Sequence, residues 1–170
     1  MKILITGGSG FIGTNLVEFL LKKKFTNFVN IDKIKPFNIE HNKYWRQLNI
    51  LEKDKLQEVL NNFSPTHVVH LAARTDTASN ILEDYIDNTL GTEHLIECIN
   101  NCQSVTNTIF TSTQYVYRPG ETIPKSDVDF NPHTVYGQSK VLNEIAVRKI
   151  LKSSKWTIIR PTNIWGPWNF

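Results

Sequence analysis

One stretch near the start of the chain narrows the possible folds more than any other. Residues KILITGGSGFIGTNLVEFLLKK run from an apolar segment through a cluster of glycines into a helical pattern. Lys2 to Thr6 reads as a strand, and Leu16, Val17, Phe19, Leu20 and Leu21 recur at helical spacing. Between them Gly8, Gly10 and Gly13 fit the pattern G-x-G-x-x-G. Glycines so spaced let the backbone turn tightly and come close to a pyrophosphate, whose charge the helix N-terminus meets. The next apolar run, FVNID at 28–32, ends on Asp32. A carboxylate there accepts both hydroxyls of a ribose and repels a 2′-phosphate, which favours NAD over NADP. A lone glycine turn is a weak sign; strand, helix and acid in order point to dinucleotide binding. Asp32 also ends its strand at the surface, so its loss is expected to weaken NAD and hardly touch the fold.

The same alternation continues along the chain. YWRQLNI at 44–50 reads as a third strand, followed by a helix through Leu56, Val59 and Leu60. THVVHLA at 66–72 is a continuous apolar run of the kind buried on both faces. A long helix is expected over 83–102, a strand at TNTIFTS (106–112), a helix over 136–153 and a sixth strand at WTIIRP (156–161). Strands and helices alternating so regularly predict an α/β fold: a doubly wound parallel sheet with helices on both faces, one domain over residues 1–170. The segment PGETIPKSDVDFNPHT at 119–134 is expected to be a long loop beside the site. Two helices carry more apolar residues than one stripe needs. They are Ile86, Leu90, Leu95, Ile96, Cys98 and Ile99 on one, and Val141, Leu142, Ile145, Ala146, Val147, Ile150 and Leu151 on the other. A helix apolar on more than one side has more than one partner, here the sheet and a second subunit.

Bulk properties exclude several classes. With 170 residues, 40% hydrophobic and 21% charged, the chain has the balance of an ordinary globular domain. A net charge of +3 without a dense basic cluster argues against nucleic acid, and KKK at 22–24 reads as a helix end. No apolar run is long enough to span a membrane, and MKILITGG is a strand leading into glycines, not a signal peptide. The two cysteines, Cys98 and Cys102, lie on one expected helix, which gives no disulfide framework and suits a cytoplasmic protein. His94, Cys98 and Cys102 form a stripe, but a single straight helix cannot wrap a tetrahedral ion, so no metal is expected.

YGQSK at 136–140 sets a phenol and an ammonium one helical turn apart, on one face. A positive charge so close lowers a phenol's pKa from its usual value of about 10. Thr6-Gly7-x-x-Gly10-x-x-Gly13, Asp32, His70-Leu71-Ala72-Ala73, the TST at 111–113, Tyr136-x-x-x-Lys140 and Arg160-Pro161-Thr162-Asn163 occur in order. Together they resemble the extended short-chain dehydrogenase/reductase family, in its NAD-dependent epimerase/dehydratase group acting on nucleotide sugars. The resemblance runs over the whole chain and implies a Rossmann-type fold. It implies that Tyr136 is the catalytic acid and base, that Lys140 lowers its pKa and holds the nicotinamide ribose, and that Thr113 orients the sugar hydroxyl.

Other roles are carried over in the same way. The resemblance implies cofactor contacts at Gly7, Gly10, Phe11, Ile12, Gly13 and Asp32, then at Asn49, Ile50, Leu71, Ala72 and Ala73. Asn88, Pro161, Tyr136 and Lys140 complete that set, and Ser112, Thr113 and Asn163 are implied for the substrate. The chain also departs from the family. Nucleotide-sugar dehydratases follow the catalytic threonine with Asp-Glu, whereas here Gln114 and Tyr115 stand, which disfavours dehydration and leaves epimerisation or ketosugar reduction. Asn49 stands where an aspartate often accepts from adenine, and Arg118 where glycine commonly follows Val-Tyr. Family members continue beyond this point into a small substrate domain. The chain is therefore expected to be a fragment with little activity of its own, in a protein that forms homodimers through two helices per subunit.

Overall fold

The structure, a computed structural model, describes residues 1–120 and 124–169. Six strands form one sheet: β1 (Ile3–Thr6), β2 (Phe28–Asp32), β3 (Trp45–Gln47), β4 (His67–His70), β5 (Asn107–Thr111) and β6 (Lys155–Ile159). Their order is β3-β2-β1-β4-β5-β6 and every pairing is parallel. Four helices cover the sheet: α1 (Phe11–Lys22), α2 (Lys53–Phe63), α3 (Thr89–Asn100) and α4 (Val135–Ile150). The order reverses between β1 and β4, and a crevice at that switch point, outside the carboxyl ends of the strands, is where such sheets bind ligands.

Alternation along the strands sorts the apolar side chains into two layers. Leu4, Val29, Ile31, Val68 and Phe110 form the larger core with Leu56 and Leu60 of α2, Leu95, Ile96 and Ile99 of α3, and Val147 of α4. Ile3, Ile5 and Phe28 face the other way and meet Val17 and Leu20 of α1. The expected doubly wound α/β fold is therefore the observed one.

Local differences have physical causes. The third strand is short because a 3-10 turn at Ile39–Tyr44 precedes it, and Leu48 and Ile50 are buried after the strand has ended. The long helix expected over 83–102 is broken into a 3-10 turn at Leu82–Tyr85 and α3, with the buried Asn88 between them. β4 is not buried on both faces as its run of apolar residues suggests: Val68 and His70 are buried, while His67 and Val69 are half-buried. The apolar excess on α3 and α4 is divided between the inside and the outside. Leu95, Ile96, Cys98 and Ile99 of α3 enter the core with Ala146 and Val147 of α4, and the two helices pack on each other. Outside the core, Ile86, Leu90 and Leu142 are exposed, and Val141 and Ile145 are half-buried. Within the loop 119–134, residues 121–123 lie outside the described part. No helix among the described residues is long and apolar enough to cross a membrane.

Candidate active site

A cavity of about 450 Å³ opens along the carboxyl ends of the strands. One end is the turn after β1. Gly7 has φ +73°, and a Cβ there would lie 2.5 Å from the backbone nitrogen of Ala72, so the turn is both left-handed and pressed against the chain after β4. A Cβ at Gly13 would meet the Gly7 carbonyl oxygen at 2.4 Å, which fixes how tightly α1 sits on the turn. At Gly10 the space is open apart from one contact at 3.5 Å. Gly10 is also the N-cap of α1 and gives it no side-chain hydrogen bond, leaving the first N–H groups of the helix facing the cavity. Open backbone at a helix N-terminus fits a pyrophosphate.

Side chains that the motif does not include hold this turn. Asn30 Oδ1 accepts the Gly8 N–H at 2.9 Å, and its amide donates to Ser9 Oγ at 3.3 Å. Asp32 Oδ2 accepts the Ser9 N–H at 3.0 Å while Oδ1 accepts the Ile34 N–H at 2.9 Å. Asp32 is thus a brace for the glycine turn as well as a candidate ribose acceptor, which overturns the expectation that its loss would hardly touch the fold. Two acceptor positions remain on its oxygens for ligand hydroxyls. Asn49 and Ile50 line the adjoining wall, and Asn49 Oδ1 already accepts the Leu51 N–H at 3.0 Å.

The other end of the cavity is built by β5 and α4. Thr134 caps α4, its hydroxyl accepting the Gly137 N–H at 3.0 Å, and Gly137 sits against the Tyr115 carbonyl, where a Cβ would come within 2.3 Å. That packing fixes Tyr136 and Lys140 on the face toward the sheet, 7% and 2% exposed, and both line the cavity. Thr113 Oγ1 accepts the Tyr115 N–H at 3.2 Å, so its proton is free to point at the site. The rings of Tyr115 and Tyr85 stand 6.0 and 6.2 Å from that of Tyr136.

Burial dominates the electrostatics. It raises the Tyr136 phenol above its ordinary pKa; the Thr113 hydroxyl works against this, and the Tyr115 and Tyr85 phenols add to it. The sequence leads one to expect Lys140 to pull the phenol down, yet in the chain by itself desolvation outweighs any such pull. Lys140 is shifted by the same cause, down to about 8, with Glu144 opposing the fall. His70, which bonds Thr6 Oγ1 at 2.7 Å and Thr92 Oγ1 at 3.0 Å, is pushed down to about 3 by burial and by Lys140, and is neutral.

The fold gathers most of the residues singled out from sequence. Gly7, Gly10, Phe11, Ile12, Gly13 and Asp32 line the cavity, as do Leu71, Ala72, Ala73, Ser112, Thr113 and Pro161. Two do not. Asn88 is fully buried away from it, its Oδ1 accepting the Arg74 N–H at 2.8 Å and its amide donating to the Arg74 carbonyl and to Ser139 Oγ. Asn163 is exposed to solvent, while its neighbours Thr162 and Ile164 line the cavity. Reading the sequence missed Ser9, Asn30 and Lys33; a polar residue inside the second strand, Asn30, was the available signal. Cys98 and Cys102 are buried against the Lys53 and Leu60 carbonyls of α2, and burial pushes the Cys98 thiol up to about 11.

Comparison with known proteins gives a consistent result. Residues 3–170 match the family described as the NAD dependent epimerase/dehydratase family. A GDP-6-deoxy-D-talose 4-dehydrogenase of Aggregatibacter actinomycetemcomitans is 32% identical over 98% of this chain and 54% of its own length. A dTDP-D-glucose 4,6-dehydratase of Dictyostelium discoideum is 31% identical over 98% of this chain and 44% of its own length. The chain spans about half the length of the curated relatives it matches. Among solved structures, a UDP-glucose 4-epimerase of Thermotoga maritima with UDP-glucose superimposes with a TM-score of 0.82 at 25% identity, covering 100% of this chain and 58% of that one. The UDP-glucose 4-epimerase of Thermus thermophilus in complex with NAD gives 0.75 at 26% identity, over 94% of this chain and 54% of that one.

Proposed function

Because the chain belongs to the NAD-dependent epimerase/dehydratase family, we propose that it carries the cofactor half of an NAD-dependent nucleotide-sugar epimerase. The observation that supports this reading is the composition of the cavity's two ends. Turn backbone, the α1 N-terminus and Asp32 stand at one end, and Thr113, Tyr136 and Lys140 at the other. The described lining includes two carboxylates, Asp32 and Asp87, neither of them on the elements that carry Thr113, Tyr136 and Lys140. Tyr115 lines the cavity at one of the two positions where dehydratases carry Asp-Glu, so elimination of water has no carboxyl group next to Thr113 to serve it.

NAD bound there supplies the hydride acceptor for a sugar carbinol carbon. Gly10, Phe11, Ile12 and Gly13 offer backbone to its pyrophosphate, and Asp32 accepts its ribose hydroxyls. Tyr136 takes the proton of the sugar hydroxyl as the carbon loses hydride, and returns it when hydride comes back to the opposite face of the ketone. Thr113 donates to the reacting oxygen and steadies it. Lys140 brings a positive charge to an environment that otherwise holds the phenol protonated.

The 170 residues by themselves are expected to turn over nucleotide sugars slowly, because the sugar carbon must be held in near-attack geometry by contacts to the remote nucleotide. A second reading, ketosugar reduction, is favoured by the dehydrogenase named above. Incubation with NAD and a panel of nucleotide sugars separates the two. Epimerisation interconverts sugars with no net change in cofactor, whereas reduction or oxidation changes cofactor and sugar in equal amounts. Tyr136→Phe is expected to cut the rate by orders of magnitude and leave NAD affinity nearly unchanged. Undiminished turnover in that variant would overturn the assignment.

A further inference from the structure

Glu144 lies one helical turn beyond Lys140 on α4 and is 1% exposed. A buried carboxylate is strongly unfavourable unless donors meet it, and here they do. Ser112 Oγ donates to Oε1 at 2.6 Å; Arg160 donates from Nε to Oε1 at 2.7 Å and from Nη2 to Oε2 at 2.6 Å. Arg148 Nη2 stands 3.5 Å from Oε2. Two further Arg160 donors go to the Tyr117 hydroxyl and the Asp127 carbonyl, and its guanidinium lies over the rings of Tyr117 and Phe130. One carboxylate thus joins α4 to the end of β5, to the residue after β6, and through Arg160 to the loop between β5 and α4.

The same carboxylate faces the cavity's cation. Among the described groups, Glu144 is the one anion that acts on Lys140, and it opposes the effect of burial. From β4 the neutral His70 faces Lys140, and Tyr136 on the same helix is held in its protonated form. No hydrogen bond to the Lys140 ammonium is found among the described residues, which leaves Glu144, one turn along the same helix, as the carboxylate placed to offset part of the cost of its burial.

We propose that Glu144, braced by Arg160, is a positioning residue for Thr113, Tyr136 and Lys140: it fixes the end of β5 through Ser112 and supplies the buried negative charge that keeps Lys140 an ammonium. The proposal rests on the reading of those three residues as the reacting group. An amide there keeps one acceptor oxygen and loses the other together with the charge, so the Lys140 midpoint, and not stability, separates a charge role from that of a strut.

Competitive acetylation with acetic anhydride across a pH series, read by peptide mass spectrometry on the 170-residue chain, measures the Lys140 midpoint without sugar or turnover. Lys140 lines the cavity, where a small reagent reaches it. Glu144→Gln is expected to lower the midpoint by about one unit, as loss of a nearby opposite charge does. Labelling of exposed lysines such as Lys22 should not change. Glu144→Asp, which keeps the charge, should hold the Lys140 midpoint near the wild-type value. If Glu144→Gln does not fold, the double exchange Glu144→Met with Arg160→Met removes the pair as a unit; the fall should then be smaller, because the lost guanidinium acts on Lys140 in the opposite sense. An unchanged or raised midpoint in a folded variant lacking the carboxylate overturns the proposal, as does an equal fall in Glu144→Asp. Either result leaves the epimerase reading standing, since that depends on turnover and on Tyr136.

Discussion

Replacing Lys140 with methionine is expected to stabilise the protein at neutral pH. Burial lowers this lysine from 10.5 to about 8, so the folded chain binds its proton less tightly than the unfolded chain does. At about 1.4 kcal/mol per unit, a shift of this size corresponds to roughly 3 kcal/mol of stability withheld wherever both states are protonated. The sign follows from linkage. Between pH 8 and 10.5 the unfolded chain holds a proton that the folded chain has lost, so wild-type stability rises with pH through that window. Methionine has a similar unbranched stem and nothing to titrate. The stability gap between variant and wild type should therefore be about 3 kcal/mol below pH 8, shrink above it, and vanish beyond 10.5. Urea unfolding of both proteins across this range measures the gap, because groups far from Lys140 titrate alike in both and His70 titrates well below it. A variant no more stable than wild type at pH 7, or a gap that does not close at high pH, would refute the argument. If Lys140 acts as proposed, the variant should also fail in turnover, and the lysine is then kept for function against stability.

Asp32→Ala should weaken NAD binding measured by calorimetry and narrow the preference over NADP. It should also lower stability by about 1–2 kcal/mol, since two backbone N–H groups lose their acceptor; retained NAD preference would remove Asp32 from the cofactor site. If two copies pair through α3 and α4, the outward patch of Ile86, Leu90 and Leu142 is their meeting surface. Leu142→Glu should then shift sedimentation equilibrium toward monomer, and a wild-type chain that stays monomeric at high concentration rules the pairing out.

How much of this could be read from the sequence depends on how far apart the cooperating residues lie. The glycine turn, Asp32 and the Tyr136–Lys140 pair were legible because each is a short-range pattern with a geometric reason. The direction of the Tyr136 shift was not, since the sequence shows Lys140 nearby but not the protein packed around both. Glu144 and Arg160 sit on separate elements and meet only after β6 has paired with β5, so Arg160 stands out as part of a motif while its pairing with Glu144 does not. Asn88 was placed in the cofactor site by resemblance, and its role as a strut between Arg74 and Ser139 depends on contacts that no local pattern encodes. For α3 and α4 the apolar excess divides between the core, the neighbouring helix and an outward face at Leu90, Val141, Leu142 and Ile145, a division that the apolar count does not encode.

The two apolar layers of the sheet are unequal, and this has a consequence for how the molecule breathes. Three helices share the larger layer, whereas α1 is held on its side by a handful of residues around Val17 and Leu20. A unit with fewer buried contacts opens at lower free energy than the rest, so α1 and its turn form the natural site of sub-global unfolding. The cofactor end of the cavity is built on that same unit. A ligand gripping the α1 N-terminus binds only the closed form and raises the opening free energy by mass action. Occupancy would then be recorded as slowed amide exchange in α1, while the layer beneath α2, α3 and α4 would be protected whether or not the cavity is filled.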